Sequence, residues 1–193
     1  MLELYFAPGS SSMAPHIALH EIGCPFDPRP VSFHGGETRT PEFLALNPAG
    51  KVPVLVVDGR PIPEVLAILH YLARAYPEAG LLPDDPVAEA EVLAWMSFLA
   101  SSVHASRKQG LEAAREAWSL ADGKLGPADW AVGGRYSIAD IHLFRIYWRF
   151  RGSLNPGPGE FANLERQYAR MMARPAVQTT IAIESAIGYQ LPA

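Results

Sequence analysis

The pattern of apolar and polar positions changes character once along the chain. Up to about residue 75, short strand-like alternations are interleaved with helical periods; from Val87 onward only the helical period recurs. Leu2-Glu3-Leu4-Tyr5-Phe6 alternates and predicts a first strand, which Ala7-Pro8-Gly9 breaks. Ser10, Ser11 and Ser12 then lead into a helix from about Met13 to Gly23. Ser12 is its expected N-cap, and Pro15 falls in the first turn, where a missing N–H costs little. Cys24-Pro25 closes that helix, and Phe26 to Phe33 predicts a second strand. Thr40, as cap with Pro41 behind it, opens a short helix to Leu46. Val54 to Val57 and Arg60 to Ile62 flank Asp58-Gly59, a strong two-residue hairpin signal. A helix follows whose first turn is expected to hold Pro63 and Glu64, the acid suiting the positive end of the dipole. The predicted order is β-α-β-α-β-β-α.

Residues 76–86, with three prolines and a glycine, form the expected linker. Beyond it, Val92, Trp95, Met96, Leu99 and Val103 mark one helix face, and Leu111, Ala114, Trp118 and Ala121 mark a second over about Gln109 to Ala121. Ser137-Ile138-Ala139-Asp140 opens a third helix as a capping box with Asp in place of Glu. That helix is apolar nearly all round (Ile141, Leu143, Phe144, Ile146, Trp148), which predicts the buried centre of a bundle. Residues 155–159 stop it. Phe161, Leu164, Tyr168 and Met171 pattern a fourth helix, Arg174-Pro175 starts a fifth, and 191–193 read as a short tail.

The run Asn47-Pro48-Ala49-Gly50-Lys51-Val52-Pro53-Val54-Leu55, a short hairpin, then Glu64 with Ile68, Tyr71 and Leu72 behind it, resembles the glutathione-binding half of glutathione S-transferases. Trp130, Gly134, Ser137, Ala139, Asp140 and the closing Arg174-Pro175-Ala176-Val177 are similar to the family's helical domain, so the resemblance covers nearly the whole chain. The segment Pro8-Gly9 to Leu19 is most similar to the bacterial beta-type branch. The resemblance implies α/β plus all-α architecture: a thioredoxin-like glutathione-binding domain over 1–75, the linker 76–86 and an all-helical domain over 87–193. It also implies a homodimer, for which apolar faces around Trp95, Met96 and Trp118 are the expected interface. The segment between His104 and Trp130 is shorter than the family's usual length.

Composition narrows the class. Apolar residues make up 49% of the 193 and the net charge is only −4, which argues against a disordered tail or a nucleic-acid partner. Cys24 is the one cysteine, so no internal disulfide framework is possible and a reducing, cytoplasmic setting is expected. No apolar run approaches membrane-spanning length.

The candidate chemistry lies in two places. Val52-Pro53 is an X-Pro pair at a strand entrance, where a cis bond would turn both main-chain groups of Val52 outward for an extended peptide. The helix start at Glu64 offers unpaired N–H groups to a carboxylate. A transferase of this family must make glutathione a thiolate. Lowering a thiol pKa of about 8.5 by about two units favours the anion by roughly 2.7 kcal/mol, which a hydroxyl and a helix N-terminus aimed at the sulfur can supply. The beta-type motif has a cysteine where this chain has Ser11, so the resemblance makes Ser11 the hydroxyl donor, with Ser10 or Ser12 next; each serine is otherwise simply a helix cap. Cys24, a dozen residues on, is expected to be a buried, inert thiol.

His104, where beta-type members also have a histidine, shares a polar stripe with Ser97, Ala100, Ser101 and Lys108. It is expected to line the cleft between the domains, as a polar or proton-relaying partner. The resemblance gives Val52, Pro53, Glu64 and Val65 to glutathione. Val65 stands where the family has Ser or Thr; losing that hydroxyl costs about 1.5–3 kcal/mol of binding to a carboxylate. The remaining histidines have no metal-ligand spacing, so no metal is expected.

The leading reading is a glutathione transferase acting on small electrophiles. Three others stand beside it: a non-catalytic or glutathione-independent protein on the same fold, a disulfide reductase that lacks the cysteine it needs, and a maleylacetoacetate-isomerase-type enzyme. The serine run is similar to that isomerase branch, but Ala14-Pro15-His16 stands where its motif carries an arginine.

Overall fold

Four strands form one mixed sheet in the order β2-β1-β3-β4, in a computed structural model that describes residues 1–190. Strand β1 (Leu2–Phe6) pairs in parallel with β2 (Asp27–Pro30) and antiparallel with β3 (Val54–Val57), which continues through a hairpin into β4 (Arg60–Pro63). At the hairpin Asp58 and Gly59 both have positive φ, 48° and 81°, as the expected two-residue turn requires. Strand β2 is shorter than the expected 26–33. Pro28 and Pro30 lack an N–H for a second ladder, which confines the segment to the sheet edge.

Alternation along β1 splits the first core in two. Leu4 and Phe6 are fully buried on one face, where Phe6 meets His16 of helix α1 (Met13–Ile22) with ring centroids 4.7 Å apart. Ile17 and Leu19 of α1 and Ile68, Leu69 and Leu72 of α3 (Val65–Ala75) are also fully buried. Each such side chain contributes roughly 1.5–3 kcal/mol through burial. On the other face Ala7, Val52, Val54 and Val56 cluster with Phe43 of α2 (Pro41–Leu46), and Tyr5 meets Phe43 edge-on at 6.1 Å. Thr40 caps α2 as expected, accepting the Phe43 N–H through its side chain.

The chain divides into two compact units, residues 1–79 with the segment from Pro175 onward, and residues 80–174. The expected assignment of 87–193 to one helical domain is therefore corrected at its end. Helix α9 (Pro175–Ile187) packs on α1 in the first unit. Its apolar face (Ala176, Val177) shows that it is buried, and sequence periodicity does not say against which core.

In the second unit α4 (Pro86–Phe98) starts at Asp85, whose carboxylate accepts the Ala88 N–H at 2.8 Å. It widens into a π-turn over Leu99–Val103 and runs on as α5 (His104–Ser106). Helix α6 (Leu111–Leu125), α7 (Ile138–Leu154) and α8 (Ala162–Met172) complete the bundle, with α7 packed against α4, α6 and α8. The expected capping box is present at the start of α7 between Ser137 and Asp140. Ile138, Ile141, Leu143, Phe144 and Ile146 are fully buried, so α7 is the bundle's centre. Trp95, Met96 and Trp118, the residues expected to support a dimer face, are 3%, 0% and 2% exposed in the single chain. The tail expected at 191–193 lies outside the described residues. Among the described residues no helix is long and apolar enough to cross a membrane.

Candidate functional site

The serine loop is built around Ser12 rather than capped by it. Ser12 stands at the N-cap position of α1 with helical φ and ψ, and its side chain makes no capping bond. Its hydroxyl reaches back to Ala7 instead, accepting the Ala7 N–H and donating to the Ala7 carbonyl, each at 3.1 Å. With Ser12's proton so used, the 2.6 Å contact between the two hydroxyls is a donation from Ser10, which also accepts the Ser12 N–H at 3.2 Å. Ser10 is 7% exposed and Ser12 fully buried. Ser11 is half-buried, and its hydroxyl donates across the chain to the Val52 carbonyl at 3.3 Å. Of the three serines, Ser11 is the one directed at the second segment of the site.

That segment owes its shape to Asn47 and Gly50. The Asn47 amide donates to the Lys51 carbonyl at 2.7 Å and accepts the Ala49 N–H at 3.1 Å, closing a tight loop. Gly50 has φ of 62°, and a Cβ there would stand 2.6 Å from Arg39 Nη1 and 2.9 Å from the Thr38 carbonyl. The Val52-Pro53 peptide bond is cis. Val52 is thus delivered beside Ser11 at the mouth of β3.

Glu64 supplies the third wall. Pro63 is the last residue of β4, not the first turn of a helix, and Glu64 is the N-cap of α3 with φ of 72° and ψ of 125°. A non-glycine residue in that region is strained by about 1–3 kcal/mol, a conformation that persists where the surroundings or a function demand it. Glu64 is exposed and its side chain makes no capping bond, so it leaves the first N–H groups of α3, beginning at Val65, uncapped. Ser11, Asn47, Lys51, Val52, Pro53, Glu64 and Val65 together line a cleft of about 130 Å³. Lys51 and Asn47 are the members that sequence reasoning left out. The signal for Lys51 was its place in the chain, an exposed cation directly before the X-Pro pair.

His104 lies in the second unit, so it is described apart from this cleft. Its ring is tilted against Phe150 at 5.6 Å. Burial, followed by Arg145, Arg107 and Lys108, holds its pKa below the usual histidine value. The polar stripe counted at helical spacing is interrupted, because the π-turn at Leu99–Val103 lies between Ser97 and His104. The second unit also has a larger, more apolar cavity of about 280 Å³, bounded by Pro83, Val92, Val132 and Tyr136, which none of the expected site residues lines. Among the described residues no three His, Cys, Asp or Glu side chains group as metal ligands.

Against known proteins, residues 1–74 match the glutathione S-transferase N-terminal domain and residues 88–175 the C-terminal domain. The chain is 28% identical over 205 residues to glutathione S-transferase GST-4.5 of Xanthomonas campestris, covering 95% of this chain and 98% of that one. Among solved structures it is similar to a glutathione transferase homologue from Sulfitobacter with bound glutathione, at a TM-score of 0.86 and 28% identity over 96% of this chain and 98% of that one. It is likewise similar to the beta class glutathione S-transferase of Sphingomonas chungbukensis, at a TM-score of 0.83 and 31% identity over 94% and 98%. With a four-stranded thioredoxin-like unit and a helical bundle that both match, the chain belongs to the glutathione S-transferase family, in its bacterial beta-type branch.

Proposed function

We propose that this protein conjugates the thiolate of glutathione to small electrophiles, with Ser11 as the donor that stabilises the thiolate. The observation that carries the assignment is the division of labour in the serine loop. Ser10 and Ser12 spend their protons inside it, whereas Ser11 donates to the Val52 carbonyl over a long 3.3 Å bond. An extended peptide pairing with Val52 offers its own N–H to that carbonyl and releases the Ser11 hydroxyl to the cysteinyl sulfur. The exchange conserves the number of hydrogen bonds and turns a neutral one into a charge-assisted one, which favours the thiolate.

The other walls suit the rest of the tripeptide. The Glu64 carboxylate takes the γ-glutamyl amino group, and the Val65 N–H at the positive end of α3 takes its carboxylate. Lys51, exposed at the rim, matches the glycyl carboxylate. Val65 contributes main chain only, so this contact is weaker than one reinforced by a hydroxyl. In the chemical step a sulfur lone pair forms the S–C bond. A leaving group departs with its electron pair or, in a conjugate addition, the resulting carbanion takes a proton from solvent.

We further propose that the protein works in the cytoplasm as a detoxifying homodimer. Leu93 of α4 and Leu120 of α6, 37% and 62% exposed, are apolar surface available to a second copy in place of the buried tryptophans. The test of function is the absorbance of the bound thiolate against pH, with turnover of a small aryl halide alongside. A thiol pKa at least one unit below that of free glutathione supports the reading. Bound glutathione that titrates as it does in water overturns it in favour of a non-catalytic binder.

A further inference from the structure

The cavity of about 280 Å³ in the second unit has walls that are each tied in place. In the loop 131–136 the Ala131 N–H bonds Asp140 Oδ1 of α7 at 2.8 Å. Arg135 returns its N–H to the Val132 carbonyl at 3.2 Å across Gly133 and Gly134, whose φ angles of 59° and 66° make the turn. Gly80 and Pro83 flank Leu81, whose carbonyl accepts the Ile138 N–H at the start of α7 at 2.9 Å. Ala88 and Val92 of α4 complete the lining. Folded chains leave few voids larger than a water molecule, because side chains around a void lose their packing partners. Walls anchored to α4 and α7 keep this one open. A preformed, mainly apolar hollow with a few polar groups is the usual form of a small-molecule site.

Tyr136 gives the cavity its chemistry. The Arg174 guanidinium lies over its ring, 3.7 Å from the centroid, and Trp130 packs against it at 5.0 Å. A cation on one face draws π density toward itself and leaves the edge and the other face more positive. That surface is complementary to the negative face of an electron-rich aromatic ring. The charges on and behind the lining balance, Asp84 and Asp85 against Arg135 and Arg174, so no net field recruits an anion or a cation. Asp85 and Ser137 are committed to capping α4 and α7. Asp84 and Arg135, both exposed, present an acceptor and a donor at the rim, which a single hydroxyl group meets together. The volume lies just below the roughly 300–1,000 Å³ of sites for drug-sized ligands, which limits the occupant to one or two fused rings.

We propose that this cavity is a binding site for a small neutral phenol, with its ring against Tyr136 and its hydroxyl between Asp84 and Arg135. The site lies wholly within residues 80–174 and does not rest on the transferase reading.

The test is equilibrium dialysis of the protein against 2-naphthol, read by the fluorescence of the ligand. The carboxylate 2-naphthoate and the ammonium 2-naphthylmethylamine serve as charged analogues. The wild type is expected to bind 2-naphthol with a dissociation constant on the order of 0.1 mM, reasonable for about ten non-hydrogen atoms, and each analogue about tenfold more weakly. Ala88→Phe fills the cavity from a helical position and is expected to weaken 2-naphthol about tenfold or more. Asp84→Ala and Arg135→Ala each remove one partner of the hydroxyl and are expected to weaken it about threefold to tenfold. Both alter exposed side chains, and they carry the test if circular dichroism shows that the phenylalanine protein does not fold. Wild-type affinity in a folded Ala88→Phe protein, or in both rim variants, places the naphthol elsewhere and overturns the proposal. No binding by the wild type at about 1 mM 2-naphthol, ten times the expected constant, overturns it too. So does a charged analogue that binds as tightly as the phenol.

Discussion

Replacing His142 by leucine will make the protein's stability less sensitive to acid by an amount that the structure fixes. His142 lies in α7, 5% exposed, and neither ring nitrogen has a hydrogen-bond partner among the described residues. Burial, and then the charges of Arg145 and His104, lower its pKa from 6.5 to about 3. A folded-state value below the unfolded one means that unfolding takes up a proton between the two. The stability this residue preserves is thus complete above about pH 6.5 and is lost as pH falls toward 3. At pH 5 the unfolded ring is about 1.5 units below its own pKa, and at about 1.36 kcal/mol per unit the loss relative to pH 7.5 is about 2 kcal/mol. The assay is urea unfolding at the two pH values, followed by tryptophan fluorescence. Trp95, Trp118, Trp130 and Trp148 all lie in the second unit, so the signal reports the bundle that holds His142. With a slope of about 1–3 kcal/mol per molar urea, the wild-type midpoint drops by roughly 1 M from this residue alone. Asp140 acts in the opposite sense: burial raises its pKa to about 6, so its contribution grows as pH falls from 6. Because Asp140 is present in both proteins, the double difference between pH values and between proteins removes it. His142→Leu is expected to be at least as stable as the wild type at pH 7.5 and to lack the 2 kcal/mol acid loss. An identical midpoint shift in both proteins would show that the ring takes up its proton without unfolding, and would refute the argument.

Three further outcomes follow from the cleft and the surface. Val65→Ser restores a hydroxyl at the start of α3 and is expected to tighten glutathione about tenfold or more in a calorimetric titration; an unchanged or weaker dissociation constant would mean the site serves another ligand. Gly50→Ala forces a Cβ onto Arg39 and the Thr38 carbonyl at positive φ, and is expected to cost about 1–3 kcal/mol in thermal or urea unfolding and to weaken glutathione binding through the displaced Val52. Sedimentation at micromolar concentration is expected to give twice the chain mass, and Leu120→Glu to reduce it to the monomer; a wild-type monomer would remove the dimer.

What could be read in the sequence was local. Thr40 as a cap, Asp58-Gly59 as a turn and Ser137 with Asp140 as a capping box are decided within four residues, and each is found where the pattern put it. The central α7 was legible for another reason: a helix apolar on every side has nowhere to go but the inside of a bundle. The failures are cases where a distant partner decides. Ser12 has the composition of a cap, but its hydroxyl is claimed by Ala7 across the loop. Helix α9 shows a buried face without showing that its partner is α1, more than 150 residues earlier in the chain. Trp95 and Trp118 could satisfy their apolar surfaces within one chain or between two, and periodicity treats the two alike. At His104 the count by threes and fours presumes an unbroken α-helix, and the π-turn ahead of it shifts the register.

The central claim is that the Ser11 hydroxyl stabilises the glutathione thiolate in the cleft of the first unit. Its most direct test is the ultraviolet titration of glutathione bound to the wild type and to Ser11→Ala, with Ser10→Ala, Ser12→Ala and His104→Ala beside them. Losing a hydrogen bond to the charged form, at about 1.5–3 kcal/mol, is expected to raise the bound-thiol pKa by about one to two units in Ser11→Ala. His104→Ala is expected to leave it nearly in place, and Ser10→Ala and Ser12→Ala to move it less than Ser11→Ala does. A bound-thiol pKa that stays put in Ser11→Ala, while moving in the variant of either neighbouring serine, would contradict the claim.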